Sequence, residues 1–344
     1  MRAAILEDGR LEIREVPEPE PQAGEALVRL QAAGVCHSDL HLVRGDWPGF
    51  GRPGGAMALG HEGIGVVEAL GPEGERPAEV NVGDRVILGL GGAGGGYWCG
   101  ACEFCLSGRP RLCAQARPLL GTYAERIRLW ARSLVVLPEA VADEQVPLAC
   151  GGLTAYSAVK KLWRFGVPPG KAVAIIGAAG GLGHYGVQVA KAFGYKVLGV
   201  DVGEARCDFV RSLGADAAYD VGEAVERIRR DHGGAYGTVV FAARLAGFEA
   251  GLRTLRRGGV FVAVGMPAAS EGSLAISPLD LVSRDPLIMS SVVGTVEEMR
   301  ELVALALDGK VKTHVGRTGG LDDLPLVLEE LEAASYAGRA VLTI

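Results

Sequence analysis

Cys99, Cys102, Cys105 and Cys113 lie in the short segment CGACEFCLSGRPRLC, with two, two and seven residues between successive members. Four soft thiolates at these spacings can close a tetrahedral shell around Zn²⁺ while the backbone folds around the ion, which reads as a structural zinc. A four-iron cluster uses the same ligand type, but no companion signature accompanies it here. A second set is scattered: Cys36 in GVCHSDLH, His61 in GHEG and Cys150 in ACGGLTAY. Two thiolates and one imidazole leave a fourth position for water or substrate, as a catalytic zinc requires. Spacing alone does not bring these three together, since a lone histidine is more often a core or surface residue than a ligand.

The third pattern is the turn Gly177-Ala178-Ala179-Gly180-Gly181-Leu182-Gly183, between a strand-like run and a helical one. Glycines let a backbone approach a pyrophosphate, whose charge then sits at a helix N-terminus. The first glycine of the plain GxGxxG pattern falls on Ala178, so the turn is weak alone. Asp201 strengthens it by closing the next apolar run, 18 residues after Gly183, where a carboxylate can accept hydrogen bonds from ribose hydroxyls.

These groups need scaffolding, and 344 residues suffice for about two domains with their own cores. The mixture of 49% hydrophobic and 22% charged residues is that of a soluble globular chain, and 52 glycines imply many tight turns. Net charge is −6 with no run of Lys or Arg, so neither nucleic acid nor an anionic membrane is an expected partner. The N-terminal MRAAILED turns acidic before a signal core could form, and no stretch reaches the ~18 apolar residues of a membrane span, so a cytoplasmic protein is expected. Seven cysteines, an odd number, suit metal ligation better than disulfides there.

In the first half, Ala26 to Leu30, Gly63 to Ala69 and Arg85 to Leu88 read as short strands separated by glycine-rich turns. From Lys171 onward, strand-like runs at Ala172–Ile176, Lys196–Val200, Val239–Phe241, Val260–Val264 and Leu287–Val293 alternate with helical spacing at Gly183–Phe193, Glu204–Leu213, Glu223–Asp231 and Phe248–Arg256. That alternation predicts a doubly wound parallel sheet in an α/β protein. Helical pattern returns at Val296–Leu307 and Leu324–Ala334 before a last apolar run, Ala340–Ile344.

GVCHSDLH, RGDWP, GHEGIG, GDRV, the four-cysteine loop, ACGGLTAY, GAAGGLG and LGVD follow one another in the order found in zinc-dependent medium-chain alcohol dehydrogenases. The chain resembles that family over nearly its whole length, and its microbial, usually homotetrameric, branch most. The resemblance implies a GroES-like catalytic domain over 1–150 and 295–344 and a Rossmann domain over 151–294. It implies Cys36, His61 and Cys150 as catalytic zinc ligands, Glu62 as an occasional alternative ligand, and Asp39 as the carboxylate orienting His61. Ser38 would take the alcohol proton and pass it through a ribose hydroxyl to His41 and solvent. Around NAD it implies Leu182, Arg206, Val264, Met266, Ser291, Val293 and Arg339 beside the glycine turn and Asp201, with His37 and Thr154 near the pyrophosphate and nicotinamide ends.

The implied reaction converts an alcohol into an aldehyde or ketone, or the reverse, with zinc as Lewis acid and NAD as hydride carrier. A zinc-free quinone oxidoreductase of the same superfamily lacks ligands at the positions of Cys36, His61 and Cys150. A non-enzymatic zinc-ribbon protein fits neither the chain length nor the absence of a basic face. Asp201 predicts a preference for NAD over NADP, with Arg206 as the residue that could accommodate a 2′-phosphate. Of 35 basic residues 28 are Arg, and Asn81 is the only asparagine, so heat resistance is expected. Gly94 stands where members favouring short alcohols carry a tryptophan. A wide substrate slot is expected unless Trp98 fills it, with Trp47 as another wall.

Overall fold

The computed structural model describes residues 1–47, 55–72, 79–88 and 95–344. They form two compact units: Met1–Leu153 with Val293–Leu307 and Thr313–Ile344, and Thr154–Val292 with Asp308–Lys312.

The first unit opens with the hairpin β1 (Arg2–Glu7) and β2 (Arg10–Glu15), then β3 (Glu25–Val35) and α1 (His37–Arg44). β4 (Met57–Ala58), β5 (Gly63–Leu70), β6 (Arg85–Leu88), the one-turn α2 (Glu103–Leu106), β7 (Arg126–Trp130) and β8 (Leu134–Val136) follow. β3 is the spine. Its first half alternates buried and partly exposed residues, as a strand with one face in solvent does, and its last four residues are all buried. It pairs antiparallel with both β5 and β7, and the residues beneath, Val28, Leu30, Val67, Val86 and Leu129 among them, form one core cluster.

Helix α3 (Gly151–Arg164) leads into the second unit, where β9 (Ala172–Ile176), α4 (Gly183–Ala192), β10 (Lys196–Asp201), α5 (Glu204–Ser212), β11 (Ala217–Asp220), α6 (Val221–His232), β12 (Ala235–Val240), α7 (Leu245–Thr254), β13 (Leu255–Ala263), α8 (Pro278–Arg284) and β14 (Leu287–Ser290) alternate. The six strands are parallel in the order β11-β10-β9-β12-β13-β14. β9 is wholly buried, which is why it reads as an unbroken apolar run rather than an alternating one. Strand order reverses between β9 and β12, creating a crevice at the carboxyl ends of the strands where ligands of such sheets bind. Gly186 packs α4 onto this sheet, since a Cβ there would sit 2.3 Å from the Phe241 ring.

The chain returns to the first unit with α9 (Val296–Leu307), β15 (Val315–Gly320), α10 (Leu324–Glu332) and β16 (Arg339–Thr343), and β16 pairs with β3. This is the α/β pairing of a β-rich unit with a doubly wound sheet that the sequence predicts. Two readings are corrected and one helix is added. The run 287–293 ends as a strand at Ser290, and Val293 lies beyond it with φ 43°. Residues 308–312, placed by sequence with the catalytic domain, belong to the second unit, where the Gln188 side chain bonds both the carbonyl and the N–H of Lys312. α3 is a helix to which the sequence pattern assigns no element. Among the described residues no helix is long and apolar enough to cross a membrane.

Candidate metal centres and cofactor turn

Two groups of donor atoms converge in the first unit. Within each, Cys99, Cys102, Cys105 and Cys113, or Cys36, His61, Glu62 and Cys150, one ligand atom per residue lies within 4.8 Å of the others. A tetrahedral Zn²⁺ with Zn–S bonds of about 2.3 Å places sulfurs roughly 3.8 Å apart. Cys99 and Cys105 sulfurs are 3.9 Å apart and those of Cys102 and Cys105 3.5 Å, so the four-cysteine loop fits such an ion. Backbone N–H groups of Ala101 and Cys102 point at Cys99 Sγ from 3.5 and 3.4 Å and draw that thiol down to about 6. Burial and the Cys102 hydrogen bond push Cys105 up to about 12.

Strand register explains the buried group. Val35 pairs with Ala340 and Ala33 with Gly63, so Cys36, just past β3, His61 and Glu62, just before β5, and Arg339, the first residue of β16, share one end of the sheet. Gly60 makes the approach to His61 possible with φ 89°, where a Cβ would meet Thr122 Oγ1 at 2.5 Å. The hydrogen bond from Cys150 draws the Cys36 thiol well below its ordinary value, and the same contact pushes Cys150 up. Two sulfurs and an imidazole brought together out of water form a donor set suited to a borderline-soft divalent ion.

Asp39 is fully buried, with Oδ1 3.1 Å from His61 Nδ1 and Oδ2 accepting the Cys36 N–H at 3.1 Å. Burial opposes a charge on His61, but Asp39 and Cys150 raise it well above the usual histidine value. Ser38 Oγ lies 3.7 Å from Cys36 Sγ. His41 Nδ1 is 2.7 Å from Asp46 Oδ2, and its ring packs on Trp47 with centroids 4.5 Å apart; Asp46 was not singled out by sequence. His37 is the exposed first residue of α1.

Glu62 meets Arg339, whose Nη2 is 2.6 and 2.7 Å from the two carboxylate oxygens and 3.1 Å from Val35 O. Arg339, which the resemblance puts at the cofactor, is therefore engaged in this pair inside the first unit. Gly34 admits the carboxylate, since a Cβ there would lie 2.0 Å from Glu62 Oε2. Burial pushes Glu62 up to about 7, against the pull of Arg339.

In the second unit the glycine turn leaves β9 and is clamped by Gly177 N–H and Ala178 N–H bonding Val200 O on β10. Gly183 is obligatory, because a Cβ would fall 1.9 Å from Gly177 O. Asp201 Oδ2 accepts Ala179 N–H at 2.7 Å, and Oδ1 accepts Val202 N–H at 2.8 Å with Arg206 Nη1 at 3.4 Å. Gly180, Gly181 and Leu182 complete the turn, while Val264, Met266 and Ser291 follow the ends of β13 and β14 on the same carboxyl edge. Thr154, buried, begins the second unit, and Val293 belongs to the first.

Gly94 lies outside the described residues. Trp98 packs edge-on against Trp130, with centroids 4.4 Å apart. Trp130 pairs with Glu25 at the start of β3, about 33 Å of strand from Val35 at ~3.3 Å per residue. Trp98 is thus held toward the end of β3 opposite Cys36.

The alcohol dehydrogenase GroES-like domain model matches residues 22–139, and the zinc-binding dehydrogenase model matches residues 181–308. An alcohol dehydrogenase of Geobacillus stearothermophilus is 38% identical over all of both chains. The chain belongs to the zinc-binding medium-chain alcohol dehydrogenase family. The solved alcohol dehydrogenase of the hyperthermophilic archaeon Aeropyrum pernix is 34% identical with a TM-score of 0.87, covering all of both chains. The acetophenone reductase of Geotrichum candidum, solved with NAD, is 29% identical with a TM-score of 0.82, covering 100% of this chain and 97% of its own.

The Glu62–Arg339 pair generates a stability prediction for this family member. Arg339→Met strands a buried carboxylate, which should cost about 3–5 kcal/mol in urea unfolding. Without the pull of Arg339, Glu62 escapes more readily by taking a proton, so the cost should grow as pH rises above about 7, and Glu62→Gln in the same chain should recover most of it. A loss below about 1 kcal/mol at alkaline pH contradicts the pairing.

Proposed function

We propose that the chain is a zinc-dependent oxidoreductase that passes hydride between a primary or secondary alcohol and NAD, reversibly with the aldehyde or ketone. The observation that carries this is the buried convergence of Cys36, His61 and Cys150 on donor atoms within 4.8 Å. When bound, zinc supplies a Lewis acid that lowers the pKa of an alcohol hydroxyl, and NAD supplies the hydride acceptor. Per turnover an alcohol and NAD⁺ give a carbonyl compound, NADH and one proton. Asp39 holds the His61 ring, Glu62 is the reserve ligand, Ser38 receives the alcohol proton, and His41, held by Asp46, hands it on. The four-cysteine loop would hold a second, structural zinc.

For NAD, the backbone N–H groups of the glycine turn and the α4 N-terminus would meet the pyrophosphate, and Asp201 the ribose hydroxyls. Val264, Met266, Ser291, Val293, Arg339, His37 and Thr154 are assigned to the cofactor by resemblance. A cytoplasmic homotetramer completes the reading: seven cysteines with no disulfide among them suit a reducing compartment. β14, a sheet edge with Leu287 and Ile288 exposed beside Leu279 and Val282 of α8, offers apolar surface for a second copy to cover.

Cys150→Ser should leave a folded protein with about one zinc per chain and almost no turnover. Cys102→Ser should instead lose solubility or heat resistance, because metal binding at a closed site is folding energy. Elemental analysis giving one zinc per wild-type chain would refute the pair.

A panel of alcohols assayed with both cofactors tests the rest of the site. Repulsion between ionised Asp201 and a 2′-phosphate should make kcat/KM at least about tenfold higher with NAD than with NADP. The packing of Trp98 on Trp130 supports the wide slot expected from the sequence, and each methylene a substrate buries is worth about 0.8 kcal/mol. Benzyl, cyclic and longer aliphatic alcohols should therefore exceed ethanol in kcat/KM, and a preference for ethanol sinks the pocket argument.

Arginine-centred networks, such as Arg126 between Glu18 and Glu68 with Arg29 on the same Glu68, support heat resistance. The expected melting midpoint lies above the ~45–65 °C mesophile range, and one within it counts against this reading.

A further inference from the structure

Tyr123 carries no signal in the sequence, yet it is fully buried with its hydroxyl 2.7 Å from Asp39 Oδ2 and 3.1 Å from Gly34 O. A phenol has one proton to donate, and the shorter contact, to an ionised carboxylate, is the stronger claim on it. Asp39 also accepts the Cys36 N–H and faces His61 Nδ1. One carboxylate thus joins Tyr123 to two candidate metal-holding residues.

The hydroxyl is surplus to packing. The Tyr123 ring sits in a core cluster with Ala33, Val35, Leu40 and Leu59, where a phenylalanine would fill nearly the same space, and burying a hydroxyl is costly unless it is bonded. The backbone is also fitted to this position. Tyr123 N–H donates to Leu59 O at 3.1 Å, and a Cβ on Gly60 would lie 2.7 Å from Tyr123 N, so the segment leading into His61 runs directly over Tyr123.

Resting on the zinc reading above, we infer that Tyr123 is a positioning residue for the open metal site, acting through Asp39. Its hydrogen bond fixes the plane of the carboxylate, which keeps the proton of His61 on Nδ1 and leaves Nε2 for the metal. The same bond draws charge from Asp39, so the imidazole donates less electron density and the ion stays more acidic. The relay then has a third member that limits how strongly the carboxylate acts on the ring.

The test is Tyr123→Phe in the zinc-loaded, full-length enzyme. Partners of metal ligands are worth 10–100-fold in metal affinity or activity, so release of the Cys150-dependent zinc to a chelator should quicken by about tenfold. The pH profile of kcat for alcohol oxidation should move alkaline by about half a unit to one unit, with KM for NAD unchanged. In an Asp39→Asn background the same substitution should add nothing, because the carboxylate through which it acts is gone. Site-specific 3-fluorotyrosine at position 123 keeps the ring and strengthens the donor, and should shift the profile the other way. Unchanged zinc release and pH profile, an equal effect in the Asp39→Asn background, or no shift with fluorotyrosine each overturns the inference. If wild type and Cys150→Ser hold the same zinc, the zinc reading itself falls and takes this inference with it.

Discussion

Charge can be kept out of water only where every charged group has its partner, and the first unit is organised around that constraint. Asp39 and Glu62 are fully buried, and His61, Arg339 and Cys36 nearly so, all at one end of the β3 sheet. Left alone, each would carry a desolvation penalty of several kcal/mol. Together they form two closed sets: Asp39 with His61, Tyr123 and the Cys36 amide, and Glu62 with Arg339. What remains is chemical: two sulfurs and an imidazole nitrogen gathered out of water, a donor set that a divalent ion answers.

The sheet makes this arrangement possible. Cys36, the His61-Glu62 pair and Arg339 are remote in sequence, yet β3, β5 and β16 place them beside one another because Val35 faces Ala340 and Ala33 faces Gly63. A one-residue slip of either strand would turn the whole row of side chains to the other face. Gly34 and Gly60 are the local adjustments, one removing a Cβ that would strike Glu62 and the other turning the chain into His61. The four-cysteine loop depends far less on the sheet. Its ligands are neighbours in sequence, and its flank is tied down by Tyr97 and Trp98 against Trp130.

The second unit follows a different logic. Its central strands β9 and β10 are buried on both faces, so its binding capacity sits at the carboxyl edge, where chain reversals expose backbone groups. The glycine turn is tied to β10 by two amides on Val200 and by Ala179 N–H on Asp201. Asp201 therefore both shapes the turn and presents its carboxylate edge beside it, with Arg206 partly offsetting its charge.

Features that depend on local spacing can be read from the residues alone. The four thiolates at 99–113 are legible because short loops bring near neighbours together whatever the rest of the chain does. The alternation of strand and helix after Lys171 and the glycine turn before α4 are legible because parallel sheets need apolar runs and phosphate turns need bare backbone. Cys36, His61 and Cys150 could be named only through the order of motifs shared with a family, since nothing in their spacing requires them to meet. The rest came only with the tertiary fold: Arg339 lies on Glu62, Trp98 packs on Trp130, and Tyr123 reaches Asp39. Each of these depends on strand register or on a side chain crossing between segments far apart in sequence, and a contact of that kind leaves no period or spacing to read.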